Sequence, residues 1–257
     1  MMQWLRGFWM ALGMFSGIRL PFRIWDEKLT ATMLTTLPLV GMFIGAIWWG
    51  ASLGLLLVWN LPTVMTAAIL ALTPFVIAGF IHLDGYMDTS DALFSRRPLQ
   101  DKLRILTDPN VGAFAVVMLG ILFLFQFAAM YTIAESGRYL ALLIVICVLS
   151  RSCCVLSVFV LRHIPESNYI SLIEQSGAMK YKVFLVFIGI VTIALAFLYA
   201  GIFGLAVSAA VVGGYVAAMS TVYKEFNGIS GDLLGYSLVI GEICGLVMLA
   251  LLQGAVL

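Results

Sequence analysis

Long apolar runs alternate along this chain with short polar segments, and the runs have the length of membrane spans. Seven stretches qualify, roughly 33 to 58, 62 to 81, 111 to 133, 139 to 161, 183 to 200, 204 to 222 and 234 to 256; a helix needs about 20 mostly apolar residues to cross a hydrocarbon core. The runs are continuous rather than alternating, which predicts helices and not barrel strands, since backbone in a bilayer must satisfy its own hydrogen bonds. Ahead of the first span, Trp4, Leu5, Phe8, Leu12 and Phe15 recur at helical spacing and predict an amphipathic helix lying in the interface. Arg6 and Arg19 flank that run and no small-x-small cleavage site follows it, so it reads as a retained segment rather than a signal peptide. The expected fold is all-α: a polytopic transmembrane helical bundle of about seven spans plus an N-terminal interfacial helix, forming a single integral membrane domain over residues 1–257.

Composition agrees. Of 257 residues, 63% are hydrophobic and 11% charged, with a mean hydropathy of +1.08, against about one quarter charged in soluble domains. The net charge of +1 implies neither nucleic acid nor an acidic partner. The placement of charge is more informative. Arg6, Arg19, Arg23 and Lys28 precede the first span; Arg96, Arg97, Lys102 and Arg104 follow the second; Arg162, Lys180 and Lys182 follow the fourth; Lys224 follows the sixth. Only Arg138 falls on the opposite side, and Arg151 lies within a span. The positive-inside rule then puts the N-terminus and the loops after even-numbered spans in the cytoplasm, and the C-terminus outside. Cys147, Cys153, Cys154 and Cys244 all sit in apolar segments without metal-ligand spacing and read as small core residues. Gly41 with Gly45, and Gly241 with Gly245, give the G-x-x-x-G spacing of close helix packing, which leaves a homo-oligomer possible and says nothing about chemistry.

The acids are concentrated. In "HLDGYMDTSDALFSRR", Asp84, Asp88 and Asp91 are spaced i, i+4, i+7. If the helix of the second span continues beyond Phe80, all three carboxylates share one face, with neighbouring Cβ atoms about 5 to 6 Å apart. Three carboxylates at a membrane boundary repel one another unless a proton or a cation relieves them, and an oxygen-only set favours Mg²⁺, or Mn²⁺, over zinc. Such a site, completed by water and substrate phosphates, suits phosphoryl transfer. The competing reading is a solvated helix end whose acids pair with Arg96, Arg97 and Lys102. His82 points away from Asp84 on a regular helix and reads first as an interfacial histidine; His163 reads as a loop residue. Further on, "NGISGDLLG" from Asn227 to Gly235 offers glycines and helix-start N–H groups, Gly231 among them, to an anion, or it is an ordinary turn. Asp232 there either caps the last helix or joins the metal. Arg151 and Glu242 are charges inside spans; they pair with each other or serve a substrate, Arg151 being suited to phosphate.

Together "GIRLP", "PLVG", "HLDGYMDTSDALFSRR", "SR" at Ser150 and Arg151, and "GISGDLLG" with Glu242 beyond resemble the cobalamin synthase family, adenosylcobinamide-GDP ribazoletransferase, over most of the chain. The resemblance implies a late step of cobalamin assembly in a prokaryotic cytoplasmic membrane, with adenosylcobinamide-GDP and α-ribazole or its 5′-phosphate as substrates and GMP leaving. It implies Mg²⁺ at Asp84, Asp88 and Asp91, phosphate clamps at Arg97 and Arg151, and Asp232 as a further metal ligand or a base. His82, Asn227, Gly231 and Glu242 join as candidate substrate-binding residues. The chain departs from the family pattern at Asn110, where "DPN" replaces D-S-R; at Val239, often glutamate; and at Tyr86, Met87 and Ala92, often smaller. A membrane phosphotransferase of CDP-alcohol type is the nearest alternative, but its D-G-x-x-A-R element is absent. A cation-coupled transporter is the other, though no repeated halves are visible.

Overall fold

The computed structural model describes residues 2–21, 25–59, 61–164 and 179–254. Eleven α-helices occur among them: α1 (Met2–Phe15), α2 (Thr30–Thr35), α3 (Leu37–Leu53), α4 (Thr63–Ile77), α5 (Ile81–Phe94), α6 (Leu99–Leu106), α7 (Ala113–Ser136), α8 (Leu142–Val160), α9 (Met179–Ala200), α10 (Ile202–Phe226) and α11 (Gly231–Gly254). The described residues contain no strand, only a parallel bridge between His163 and Ile229. Six helices are long and apolar enough to cross a membrane: α3 extended by a π-helical turn to Val58, then α7, α8, α9, α10 and α11. The chain is a multi-pass membrane protein.

The second apolar run departs from expectation. It does not continue as one helix past Phe80; α4 and α5 meet at a bend of 93°. The cause is local. Gly79 (φ 68°) and Phe80 (φ 62°) both take left-handed backbone. The Phe80 N–H bonds to the Phe75 carbonyl at 2.9 Å and the Gly79 N–H to the Val76 carbonyl at 3.1 Å, the paired bonds of a Schellman stop with glycine at its C′ position. The Gly17 N–H, arriving from beyond α1, closes the Ile77 carbonyl at 2.8 Å. We read α4, about 22 Å long at 1.5 Å per residue, as the crossing segment and α5 as a helix turned across its end.

Small residues let the spans approach closely. A methyl group built at Gly41 would lie 2.4 Å from the Cys147 carbonyl oxygen, and one at Gly45 would lie 2.6 Å from the Ile144 Cα, so α3 rests directly on α8. Gly241 and Gly245 do the same for α11 against Tyr215 and Val211 of α10 and Ile146 of α8. The helix α8 is consequently the most enclosed span. Its Arg151, 1% exposed, bonds to Glu242 of α11 at 2.6 Å and to the Cys147 carbonyl at 3.1 Å, while the Ser150 hydroxyl donates to the same Glu242 oxygen at 3.0 Å. Of the two readings of these charges, the structure supports mutual pairing.

At the N-terminus, α1 forms as expected but packs on the bundle rather than only lying beside it. Gly7, Met10, Ala11 and Leu12 are buried, with Gly7 against Thr32 and Met33 of α2. Trp4 and Leu5 of the anticipated stripe are exposed, although the Trp4 ring also meets Phe184 and Tyr181 of α9.

Candidate active site

One end of the bundle gathers the chemistry. There α5 packs on α7 and α11 and meets the end of α1 through His82 and Phe15, because the 93° bend turns its axis away from the spans. The approach to α11 is closest at a glycine: a methyl group at Gly85 would sit 2.9 Å from the Asp232 Cα and 3.0 Å from its carbonyl oxygen. Asp84, exposed, and Asp88, half-buried, therefore share this end with Asp232. The Asp91 carboxylate lies instead against Gly112, the residue that opens α7. Tyr86 and Tyr236 stack beneath at 5.5 Å with their planes 10° apart, and the Tyr86 hydroxyl donates to the Met118 carbonyl at 3.1 Å, tying α5 to both neighbouring helices.

Electrostatics follow from this crowding. Burial, and after it the charges of Asp84, Asp232 and Asp91, push the Asp88 carboxyl up to about 6. Among the described residues no ion pair relieves these four acids. Lys102, which could have served, is spent on Glu225 of α10, and Arg96 and Arg97 are exposed beyond α5. The solvated, ion-paired reading of the acidic helix is thus not what the side chains do.

Nor do the acids close a cage. Among the described residues no three carboxylate, imidazole or thiol groups converge on one metal position. What remains is a set of carboxylate oxygens shared between α5 and α11. That set fits a hard divalent cation of the Mg²⁺ kind, which is held by one or two carboxylates with substrate phosphates and water completing its shell.

Several expected participants fall elsewhere. At the start of α11 the Ser230 hydroxyl accepts the Leu233 N–H at 3.4 Å, while the Asp232 carboxylate accepts its own backbone N–H and lies within reach of the Asp84 charge. Arg97, exposed, has its N–H on the Ser95 hydroxyl at 3.3 Å and is not brought onto the acids. Arg151 and Glu242 lie deeper, Glu242 ten residues along α11 from Asp232 and so roughly 15 Å down its axis. Asn227, exposed, ends α10 in left-handed backbone (φ 55°), and Gly231 begins α11. Asp108, held below the usual carboxylate range by the Asn110 backbone and side-chain N–H groups, forms a turn ahead of α7 with bonds of 2.9 and 2.7 Å.

His82 is 8% exposed and packs on Phe15 of α1, the rings 6.3 Å apart and near parallel. Burial, with the charge of Arg151 in addition, pushes its imidazole down to about 3, so it is neutral at pH 7. Its Nε2 is buried without a hydrogen-bond partner. His163 enters the same neighbourhood from 81 residues away, held by bonds of 3.0 Å from the Ile164 N–H to the Ile229 carbonyl and from the Ile229 N–H to the Arg162 carbonyl. No spacing in the sequence signals that meeting. The roles of Gly85 and Gly112 had a weak signal at most: a glycine beside an acid in D-G, and one just ahead of a span.

The family model described as cobalamin-5-phosphate synthase matches residues 7–250. Curated relatives named adenosylcobinamide-GDP ribazoletransferase include one from Clostridium botulinum (strain Alaska E43 / Type E3), 36% identical over 94% of this chain and 95% of its own. Another, from Clostridium perfringens (strain ATCC 13124), is 33% identical over 95% and 96%, and one from Geobacillus kaustophilus is 30% identical over 94% of each. No solved structure matches the chain.

Proposed function

This chain belongs to the cobalamin-5-phosphate synthase family, and from that premise we propose that it is an adenosylcobinamide-GDP ribazoletransferase of a prokaryotic cytoplasmic membrane. A ribose hydroxyl of α-ribazole, or of its 5′-phosphate, attacks the phosphorus bonded to cobinamide; the new P–O bond forms, the bond to the GMP oxygen breaks, and GMP leaves. The observation that carries this reading is the meeting of Asp84 and Asp88 on α5 with Asp232 on α11, carboxylates with no basic partner among the described residues.

Each residue then has a task. Asp84 and Asp88 would hold Mg²⁺, or Mn²⁺, with substrate phosphates and water completing its shell, while Asp91 stands against Gly112; the bound ion supplies charge neutralisation for the diphosphate and the leaving GMP. Asp232, the half-buried acid on α11, would take the hydroxyl proton as the P–O bond forms. Gly85 keeps the two helices close enough for those carboxylates to act on one diphosphate. The loops at this end also carry most of the basic residues, which supports a cytoplasmic site, where polar nucleotide substrates meet a bilayer-embedded bundle.

The test is release of GMP from adenosylcobinamide-GDP by purified protein in lipid, with α-ribazole and Mg²⁺ each present or omitted, for wild type, Asp84→Ala and Asp88→Ala. Turnover that needs both additions and falls at least a hundredfold in both variants is expected. A folded wild type with no turnover on the nucleoside and none on its phosphate would sink the reading.

A further inference from the structure

Beside the acid group lies a cavity of about 210 Å³ enclosed by the end of α1, the α2–α3 junction, α5, α8 and the start of α11. Its walls are mostly apolar, with Phe15, Leu37 and Val155 among them, and its polar members include His82, His163 and Asp232. That volume is below the roughly 300 to 1,000 Å³ of sites that enclose a whole drug-sized ligand, so it accepts part of a substrate; a corrinoid ring is far too large. We propose that this cavity receives the aromatic base of the nucleoside acceptor and selects flat bicyclic bases that carry a ring-nitrogen acceptor. The proposal rests on the transferase reading above and adds to it the place and chemistry of base recognition.

Three features support this choice. Asp232 belongs both to the cavity wall and to the acid group, so a base lodged in the cavity places its attached ribose beside the carboxylates. Phe15 and His82 present rings 6.3 Å apart and 20° from parallel at the cavity wall, the kind of aromatic surface on which a planar heterocycle stacks. The His82 Nε2 is buried without a partner, which is rare for a polar atom in a folded interior. Ribazole is a benzimidazole nucleoside: one ring nitrogen is bonded to ribose and the other is a free acceptor, the complement of an imidazole N–H. His163, by contrast, is already engaged, its Nε2 at 3.0 Å from the Val158 carbonyl, and serves as wall.

The experiment measures binding of α-ribazole alone to purified full-length protein by calorimetry, for wild type, His82→Phe, His82→Asn and Val155→Phe, each verified as folded by circular dichroism and gel filtration. His82→Phe, which keeps the ring and loses the donor, should weaken α-ribazole binding at least tenfold, and His82→Asn, which restores a donor, should recover part of it. Val155→Phe should exclude α-ribazole while retaining the smaller imidazole riboside. Affinity for adenosylcobinamide-GDP should change less than twofold in all three. Wild-type affinity for α-ribazole in both His82→Phe and Val155→Phe, or no saturable binding by wild type, overturns the proposal. The two readings fail separately: a wild type that turns over while the variants keep its α-ribazole affinity loses only the pocket. A wild type that binds α-ribazole in the pattern above but releases no GMP loses only the transfer reaction.

Discussion

Gly85 and Asp232 stand so close that a single added methyl group at Gly85 would lie 2.9 Å from the Asp232 Cα. This contact between α5 and the first turn of α11 sets the spacing of the carboxylates. Gly85→Ala must push the two helices apart, since the obstructing atoms are backbone. A shift near 1 Å at a reacting centre costs about 100-fold in rate, so GMP release should fall by roughly that factor while the protein still folds. Wild-type turnover in a folded Gly85→Ala protein would show that the contact does not govern the site.

The crowding at Asp88 makes a prediction about stability without substrate. Burial and three neighbouring carboxylates raise its proton affinity, so at neutral pH the folded state carries repulsion that the unfolded chain lacks. Asp88→Asn removes one member of that group. Discounted for solvent screening at this half-exposed carboxyl, the gain is about 1 kcal/mol, so in EDTA the variant should melt about 2 to 4 °C above wild type, and Mg²⁺ should raise wild type more than the variant. A thermal shift assay with and without EDTA decides it; equal melting points in EDTA argue against unrelieved repulsion.

Deeper in the bundle, Arg151 and Glu242 hold α8 to α11 through a buried bond of 2.6 Å. Removing one partner strands the other charge, at a cost of about 3 to 5 kcal/mol. Glu242→Leu and Arg151→Met should each shorten the detergent half-life sharply, whereas the double variant should recover much of the loss because no charge remains unpaired. A double variant as unstable as the singles would point to a separate duty for one of these groups.

The bend that aims α5 depends on Gly79, whose φ is 68° and where an added Cβ would lie 2.9 Å from the Gly17 nitrogen, leaving no room for a side chain. Gly79→Ala should cost about 1 to 3 kcal/mol in backbone strain and reduce GMP release beyond what lost folded protein explains. Gly50→Ala, in helical backbone with open space around it, is the control and should leave melting temperature and turnover near wild type.

Much of this was legible in the chain. Continuous apolar runs gave the helical membrane bundle, because a bilayer admits few other structures. The i, i+4, i+7 spacing put the acids on one helix, and the two G-x-x-x-G pairs marked contacts of α3 with α8 and of α11 with α8 and α10. The stop at Gly79 was also present in the letters, since Gly79 stands where a Schellman ending places its glycine. The unbroken hydrophobicity across "PFVIAGFI" concealed it: hydropathy reports the cost of contact with water and is blind to the direction of the backbone.

Tertiary structure alone decided what meets what. Asp232 joins Asp84 and Asp88 across some 140 residues, His163 reaches the cavity beside His82, and Arg151 is matched to Glu242 rather than to the acid face. Sequence determined the long apolar spans because those follow from local backbone preference and from transfer between water and lipid, which act residue by residue. Partners between elements follow from shape, from where a glycine admits a neighbouring backbone and where a bend turns a helix, and those constraints exist only once the helices have packed.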